Sequence, residues 1–178
     1  MNHSDHVALL RQGIPGQGGV WADFGSGTGA FTLALADLLG PTSSIYSVDR
    51  DASALRQQEQ AMRSFSPGQH MTYLAADFTR SLDLPPLDGI IMANSLHYVR
   101  DKEKDAQLQR VYHYLRPGGR LLLVEYNIDH GNMWVPYPLS YDRWERTAQR
   151  NGFVQTRLLV RRPSSYLKEM YSALSLRP

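Results

Sequence analysis

A chain of 178 residues, 42% of them hydrophobic, suffices to bury one core, so a single domain over 1–178 is expected. The formal net charge is only +2, with 20% charged residues, so no global attraction to nucleic acid or to a membrane surface is expected. The absence of cysteine excludes a disulfide scaffold, a thiolate metal site and a cysteine nucleophile.

The first 19 residues lack the basic start and apolar run of an export signal. No apolar run approaches the ~20 residues of a membrane span, and a cytoplasmic location is the expectation. Residues 4–12 read as a short helix with Ser4 as its cap, within an N-terminal extension of 1–17. A strand at 20–24 then runs through Gly25-Ser26-Gly27-Thr28-Gly29 into a helix over about 28–39, stopped by Gly40-Pro41. A second strand, 44–48, ends on Asp49, and Asp51 caps a helix to about Phe65. The third strand, 71–76, ends on Asp77-Phe78, and the fourth, 89–93, ends on Asn94. A helix over 101–116 is followed by a Pro117-Gly118-Gly119 turn and a fifth strand, 120–126.

Apolar runs without strict alternation suit strands buried on both faces, as in a doubly wound parallel α/β sheet. After Tyr126 the rhythm changes. Residues 127–139 form a long loop with Trp134 and Tyr137, a candidate substrate lid. Ser140 caps a helix to about Asn151, with Leu139 and Trp144 placed as a hydrophobic staple. Segments 153–161 and 166–176 have no helix between them and should pair as an antiparallel hairpin turning at 162–165.

In such a sheet, ligands bind at the carboxyl ends of the strands. Asp23, the Gly25–Gly29 loop, Asp49, Asp77-Phe78 and Asn94 all fall there. The loop with Ala30 also satisfies a dinucleotide fingerprint, G-x-G-x-x-A, so a nicotinamide-dependent reductase is one reading. Asp23 argues against pyrophosphate: a carboxylate there repels phosphate but attracts an ammonium group by several kcal/mol at roughly 4 Å and intermediate dielectric. A ligand with an amino acid at one end and a ribose and adenine at the other fits better.

With those residues in view, the chain resembles the class I S-adenosylmethionine-dependent methyltransferases over roughly 18–178. Asp23-Phe24-Gly25-Ser26-Gly27-Thr28-Gly29 looks like their [ED]-x-G-x-G-x-G motif, and Leu115-Arg116-Pro117-Gly118-Gly119-Arg120-Leu121 like their turn before the fifth strand. The resemblance implies a Rossmann-like, seven-stranded sheet of order 3-2-1-4-5-7-6 with strand 7 antiparallel. It implies S-adenosylmethionine as cofactor, with Asp49 at the ribose hydroxyls and Asp77 and Phe78 at the adenine. Arg50 stands where a more apolar residue often lies against the adenine, so its aliphatic stem would pack there.

Asn94-Ser95-Leu96-His97 is not the Asn/Asp-Pro-Pro-Tyr/Phe motif of the enzymes that methylate nucleic-acid bases and glutamine, which turns the expectation toward a small or medium-sized acceptor. His97 is the candidate general base, and Tyr98 a candidate wall of the substrate site. Each has a plainer reading as a packed core residue. No metal site is expected, because Asp129 and His130 alone do not make one. Arg157, Arg161, Arg162, Lys168 and Arg177 read as a solvated basic edge, and the hairpin leaves a homodimer open. A methyltransferase-fold binding protein without turnover is a further alternative.

Overall fold

The computed structural model describes all 178 residues. Five helices, α1 (His3–Arg11), α2 (Ala30–Leu39), α3 (Ala52–Phe65), α4 (Asp101–Tyr114) and α5 (Tyr141–Arg150), flank one sheet. Its strands are β1 (Val20–Phe24), β2 (Ser44–Asp49), β3 (His70–Ala75), β4 (Leu87–Ala93), β5 (Leu115–Tyr126), β6 (Val154–Ser164) and β7 (Lys168–Leu176). Their order is β3-β2-β1-β4-β5-β7-β6, with β7 antiparallel to both of its neighbours, as the family resemblance implied.

Strand periodicity sorts the core into two halves. On β5, Leu121 and Leu123 pack with Leu108, Val111 and Trp144 under α4 and α5, whereas Leu122 and Val124 pack with Leu10, Leu35 and Met62 under α1, α2 and α3. Successive side chains of a strand point to opposite faces, so a central strand covered on both sides has no room for a polar face. The same alternation on β1 sends Ala22 and Phe24 to the α4 side and Trp21 to the α2 side. It aims Asp23 at α2 as well, where Thr32 meets it.

Local signals held at two helix starts. The Asp51 side chain accepts from the Ser53 and Ala54 amides at 2.8 and 3.2 Å, and that of Ser140 accepts from the Arg143 amide. Three expectations need correction. The cap of α1 is Asn2, not Ser4, because Asn2 and Asp5 satisfy each other's backbone amides in a reciprocal capping box. Helix α4 ends at Tyr114, and the Pro117–Gly119 stretch belongs to β5: Gly118 and Gly119 bond to both sides of the Arg177 peptide at 2.8 and 2.9 Å. The hairpin turns at 165–167, since β6 runs on through Pro163. That proline is tolerated because β6 is the sheet's outer strand and needs no amide on its open side.

The basic edge is also less uniform than composition suggests. Arg162 pairs with Asp5 of α1 at 2.6 Å, and Arg177 turns inward to the Tyr112 and Leu115 carbonyls. No helix is long and apolar enough to cross a membrane.

Candidate active site

Two clefts meet at the carboxyl ends of the strands. The first, of about 660 Å³, is lined by Gly25, Asp49, Arg50, Asp77, Phe78, Asn94, Ser95 and Tyr98, among others. The second, of about 400 Å³, is lined by Asn94, His97, Tyr98, Tyr126, Trp134, Val135 and Tyr166. Asn94 and Tyr98 belong to both.

The glycine loop lies across the end of β2, where the Gly25 and Ser26 amides donate to the Val48 carbonyl at 2.8 and 3.2 Å. Gly25 has φ +77°, and a Cβ there would sit 2.4 Å from the Ser95 Cβ. A side chain at this point would therefore push β4's end away from the loop and close the first cleft. Gly29, with φ +91°, precedes α2 without a side-chain cap, so the first amides of that helix face the loop unshielded. Gly27 donates its amide to Asp49 Oδ2 at 2.7 Å, and Asp51 donates its own to Oδ1 at 2.8 Å. Asp49 thus braces the loop while leaving further lone pairs toward the cleft. Ser26 is tied to the Ser47 hydroxyl at 2.7 Å, and Thr28 is exposed on the loop.

Asp77 accepts from the amide and the hydroxyl of Thr79 at 2.9 and 2.7 Å through one oxygen, leaving the other without a partner in the protein. The Thr79 hydroxyl chiefly, helped by its amide, holds this carboxyl below its usual range despite partial burial. Phe78 stacks on Phe24 with ring centroids 6.1 Å apart and planes 16° from parallel, which fixes an apolar floor. Arg50 is exposed on the rim.

Asp23 stands apart from these groups. It is 1% exposed, does not line either cleft and accepts from the Thr32 hydroxyl at 2.6 Å. Burial raises its pKa to about 7, against the opposing hydrogen bond from Thr32 and with a smaller push from Asp49. The acid that looked most diagnostic in the sequence is held under the loop by the period-2 geometry of β1.

At the end of β4, Asn94 adopts φ +53°, a left-handed conformation uncommon outside glycine, and donates its amide to the Val124 carbonyl at 2.9 Å. Asn94 Oδ1 and Ser95 Oγ are both buried without a partner. Buried polar atoms are normally paired, and these two orphans belong to residues that line the first cleft.

His97 follows in a 3-10 turn, Leu96–Tyr98, and is 2% exposed. Its Nδ1 lies 2.8 and 3.0 Å from the two carboxylate oxygens of Glu125, which is fully buried on β5. Glu125 Oε1 also accepts the Tyr126 amide at 2.8 Å. A carboxylate facing Nδ1 calls for a proton on that nitrogen, and in the neutral ring Nε2 is then the acceptor. Sequence reading did not single out Glu125; its signal was a lone acid after four apolar residues in a central strand, where a charge must find a partner.

The 127–139 loop is braced, not loose. Asp129 accepts from the Ser140 amide and hydroxyl at 3.1 and 3.0 Å, and the Tyr137 amide donates to the His97 carbonyl at 3.0 Å. Lys104, buried on α4, donates to the Tyr137 carbonyl at 2.7 Å and pairs with Asp101 at 2.6 Å. Its tip projects furthest: Met133 is 82% and Trp134 66% exposed. No group of three or more His, Asp or Glu side chains is arranged to hold a metal ion.

A methyltransferase domain family model matches residues 22–121. A ubiquinone/menaquinone biosynthesis C-methyltransferase of Pasteurella multocida is 32% identical over 107 residues, which cover 59% of this chain and 39% of that protein. Its namesake in Escherichia coli K12 is 31% identical over 107 residues, covering 59% and 41%. The match spans about two-fifths of the length of these curated relatives.

Among solved structures, the N-methyltransferase NodS of Bradyrhizobium japonicum, in complex with S-adenosylhomocysteine, superposes with a TM-score of 0.77 at 20% identity, covering 98% of this chain and 86% of that one. Phosphoethanolamine N-methyltransferase 2 of Haemonchus contortus gives 0.77 at 16% identity, covering 98% and 52%.

The first cleft fits S-adenosylmethionine: two strand-end carboxylates with lone pairs to spare, an apolar floor, bare backbone at Gly25, and buried orphan acceptors toward the second cleft. The chain belongs to the methyltransferase domain family, and its fold is that of the class I S-adenosylmethionine-dependent methyltransferases.

Proposed function

We propose that the protein transfers a methyl group from S-adenosylmethionine to a small-molecule acceptor that gives up a proton, with His97 as general base. The observation that carries this reading is the buried His97–Glu125 pair, which places the imidazole at the second cleft, beside the first. When bound, S-adenosylmethionine supplies an electrophilic methyl group. Asp49 would hold the ribose hydroxyls, Asp77 and Phe78 the adenine, and the Gly25–Gly29 loop with the first amides of α2 the amino-acid end. Asp23 acts beneath that loop, and Arg50 covers the rim. Asn94 and Tyr98 stand where cofactor and acceptor would meet.

Glu125 keeps the His97 proton on Nδ1, so Nε2 can accept the proton leaving the acceptor. Burial of the pair keeps water from competing for that proton. The relatives named C-methyltransferases support a proton-bearing acceptor, because replacing a hydrogen on carbon by a methyl group ends with loss of a proton. Calorimetry with S-adenosylhomocysteine tests the cofactor half: the absence of binding overturns the reading. Methyl-labelled cofactor incubated with a metabolite extract tests the other half, with labelled product expected for the wild type and not for His97→Ala.

A further inference from the structure

We infer that the second cleft selects an acceptor with an uncharged, planar ring bearing the proton that His97 removes, and turns away acceptors carrying a phosphate or carboxylate group. This rests on the reading of the two clefts given above.

The walls are aromatic. The His97 ring lies 4.4 Å from Tyr98 and 6.2 Å from Tyr126, and Tyr126 lies 6.0 Å from Tyr166, centroid to centroid. The rings run in the order Tyr98, His97, Tyr126, Tyr166, so the imidazole lies between two tyrosines. Flat π surfaces are best covered by another flat ring, offset or edge-on.

Trp134 completes the cleft from the loop, which fixes its backbone by internal hydrogen bonds. Asn132 Oδ1 accepts from the Trp134 and Val135 amides at 2.8 and 2.9 Å, and Val135 is buried behind it. An ordered backbone thus holds an indole 66% exposed at the cleft. A ring docked in the cleft would cover it.

Charge excludes the alternatives. No lysine or arginine lines the cleft, and the carboxylate behind His97 makes its floor unfavourable to an anion. Lys104, the buried cation of the neighbouring helix, has its ammonium committed to Asp101 and the Tyr137 carbonyl. A phosphate or carboxylate brought here would lose its hydration without gaining a partner. An aromatic box also suits a quaternary ammonium group, but such a group has no proton to give His97.

The test uses the whole chain saturated with S-adenosylhomocysteine. Trp21 and Trp144 are 1% and 0% exposed, so Trp134 is the one accessible fluorophore among the three tryptophans. At mildly acidic pH, 4-nitrophenol should quench it saturably and be displaced by phenol. Phenyl phosphate should displace it at least roughly tenfold less well, and calorimetry should show Trp134→Ala binding 4-nitrophenol roughly tenfold more weakly, with Trp134→Phe close to wild type.

Displacement by phenyl phosphate at the concentrations where phenol acts would overturn the inference. Unchanged 4-nitrophenol affinity in Trp134→Ala would do the same. Binding of S-adenosylhomocysteine without any binding of 4-nitrophenol sinks this inference alone, whereas failure of S-adenosylhomocysteine to bind sinks the methyltransferase reading beneath it.

Discussion

The two clefts are built on opposite principles. The first is made of short-range features: glycines in a row, acids at the ends of β2 and β3, and backbone amides presented by loop and helix. Its carboxylates stay near solvent, and each accepts a hydrogen bond from a residue two positions on, Asp77 from Thr79 and Asp49 from Asp51. The second is made of long-range pairings, with His97 meeting Glu125 across 28 residues and Lys104 reaching Tyr137 across 33. Its charges are buried and therefore tolerable only when paired. A bound nucleoside needs many modest contacts, whereas proton removal needs one base held in one orientation.

The largest expected effect separates the halves directly. His97→Ala should lower turnover by about 10²- to 10⁴-fold, the usual contribution of a general base, while calorimetry finds S-adenosylhomocysteine affinity unchanged. Loss of both would mean that the clefts are not energetically distinct.

Asp23 is a strand-end acid of the first half with the burial typical of the second. Its folded pKa, about 7, lies above the 3.8 of an ordinary aspartate, so the native state holds this proton more tightly than the unfolded chain. The stabilisation is complete below about pH 4 and fades as pH rises through 7, by on the order of 4 kcal/mol. Urea denaturation of wild type and Asp23→Asn across this range should show their difference growing with pH in favour of the variant. A constant difference would show that Asp23 titrates as an ordinary exposed acid.

Asp49→Ala should weaken S-adenosylhomocysteine binding by roughly 1.5 to 3 kcal/mol, the scale of hydrogen bonds to a charged group, with calorimetry as the readout. Unchanged affinity would move the ribose elsewhere. The smallest effect is expected for Trp134→Ala, whose exposed ring should leave the melting free energy within about 0.5 kcal/mol of wild type. A larger loss of stability would make Trp134 a packing residue and dissolve the contrast between a braced loop and its projecting tip.

Legibility followed the same division. Asp49, Asp77, Phe78 and Asn94 were readable because each ends a strand, and strand ends in a doubly wound sheet share one edge. Asp51 and Ser140 were readable as caps because a cap acts on amides two or three residues away. The hairpin was foreseen but its turn was misplaced, since Pro163 looks like a breaker until β6 is known to be the outer strand. Asp23 was readable as a motif residue, yet its direction was not: one position along β1 decides between the cleft and Thr32.

The order of the elements, the glycine loop and the polar strand ends follow from the chain alone, because period, capping and backbone freedom are local properties. The tertiary structure decided which buried charges meet. Glu125 became the partner of His97 only when β4 and β5 were laid side by side, and Lys104 anchored Tyr137 only when α4 packed beneath the loop. Pairings across such distances depend on register and burial, which no single stretch of sequence contains.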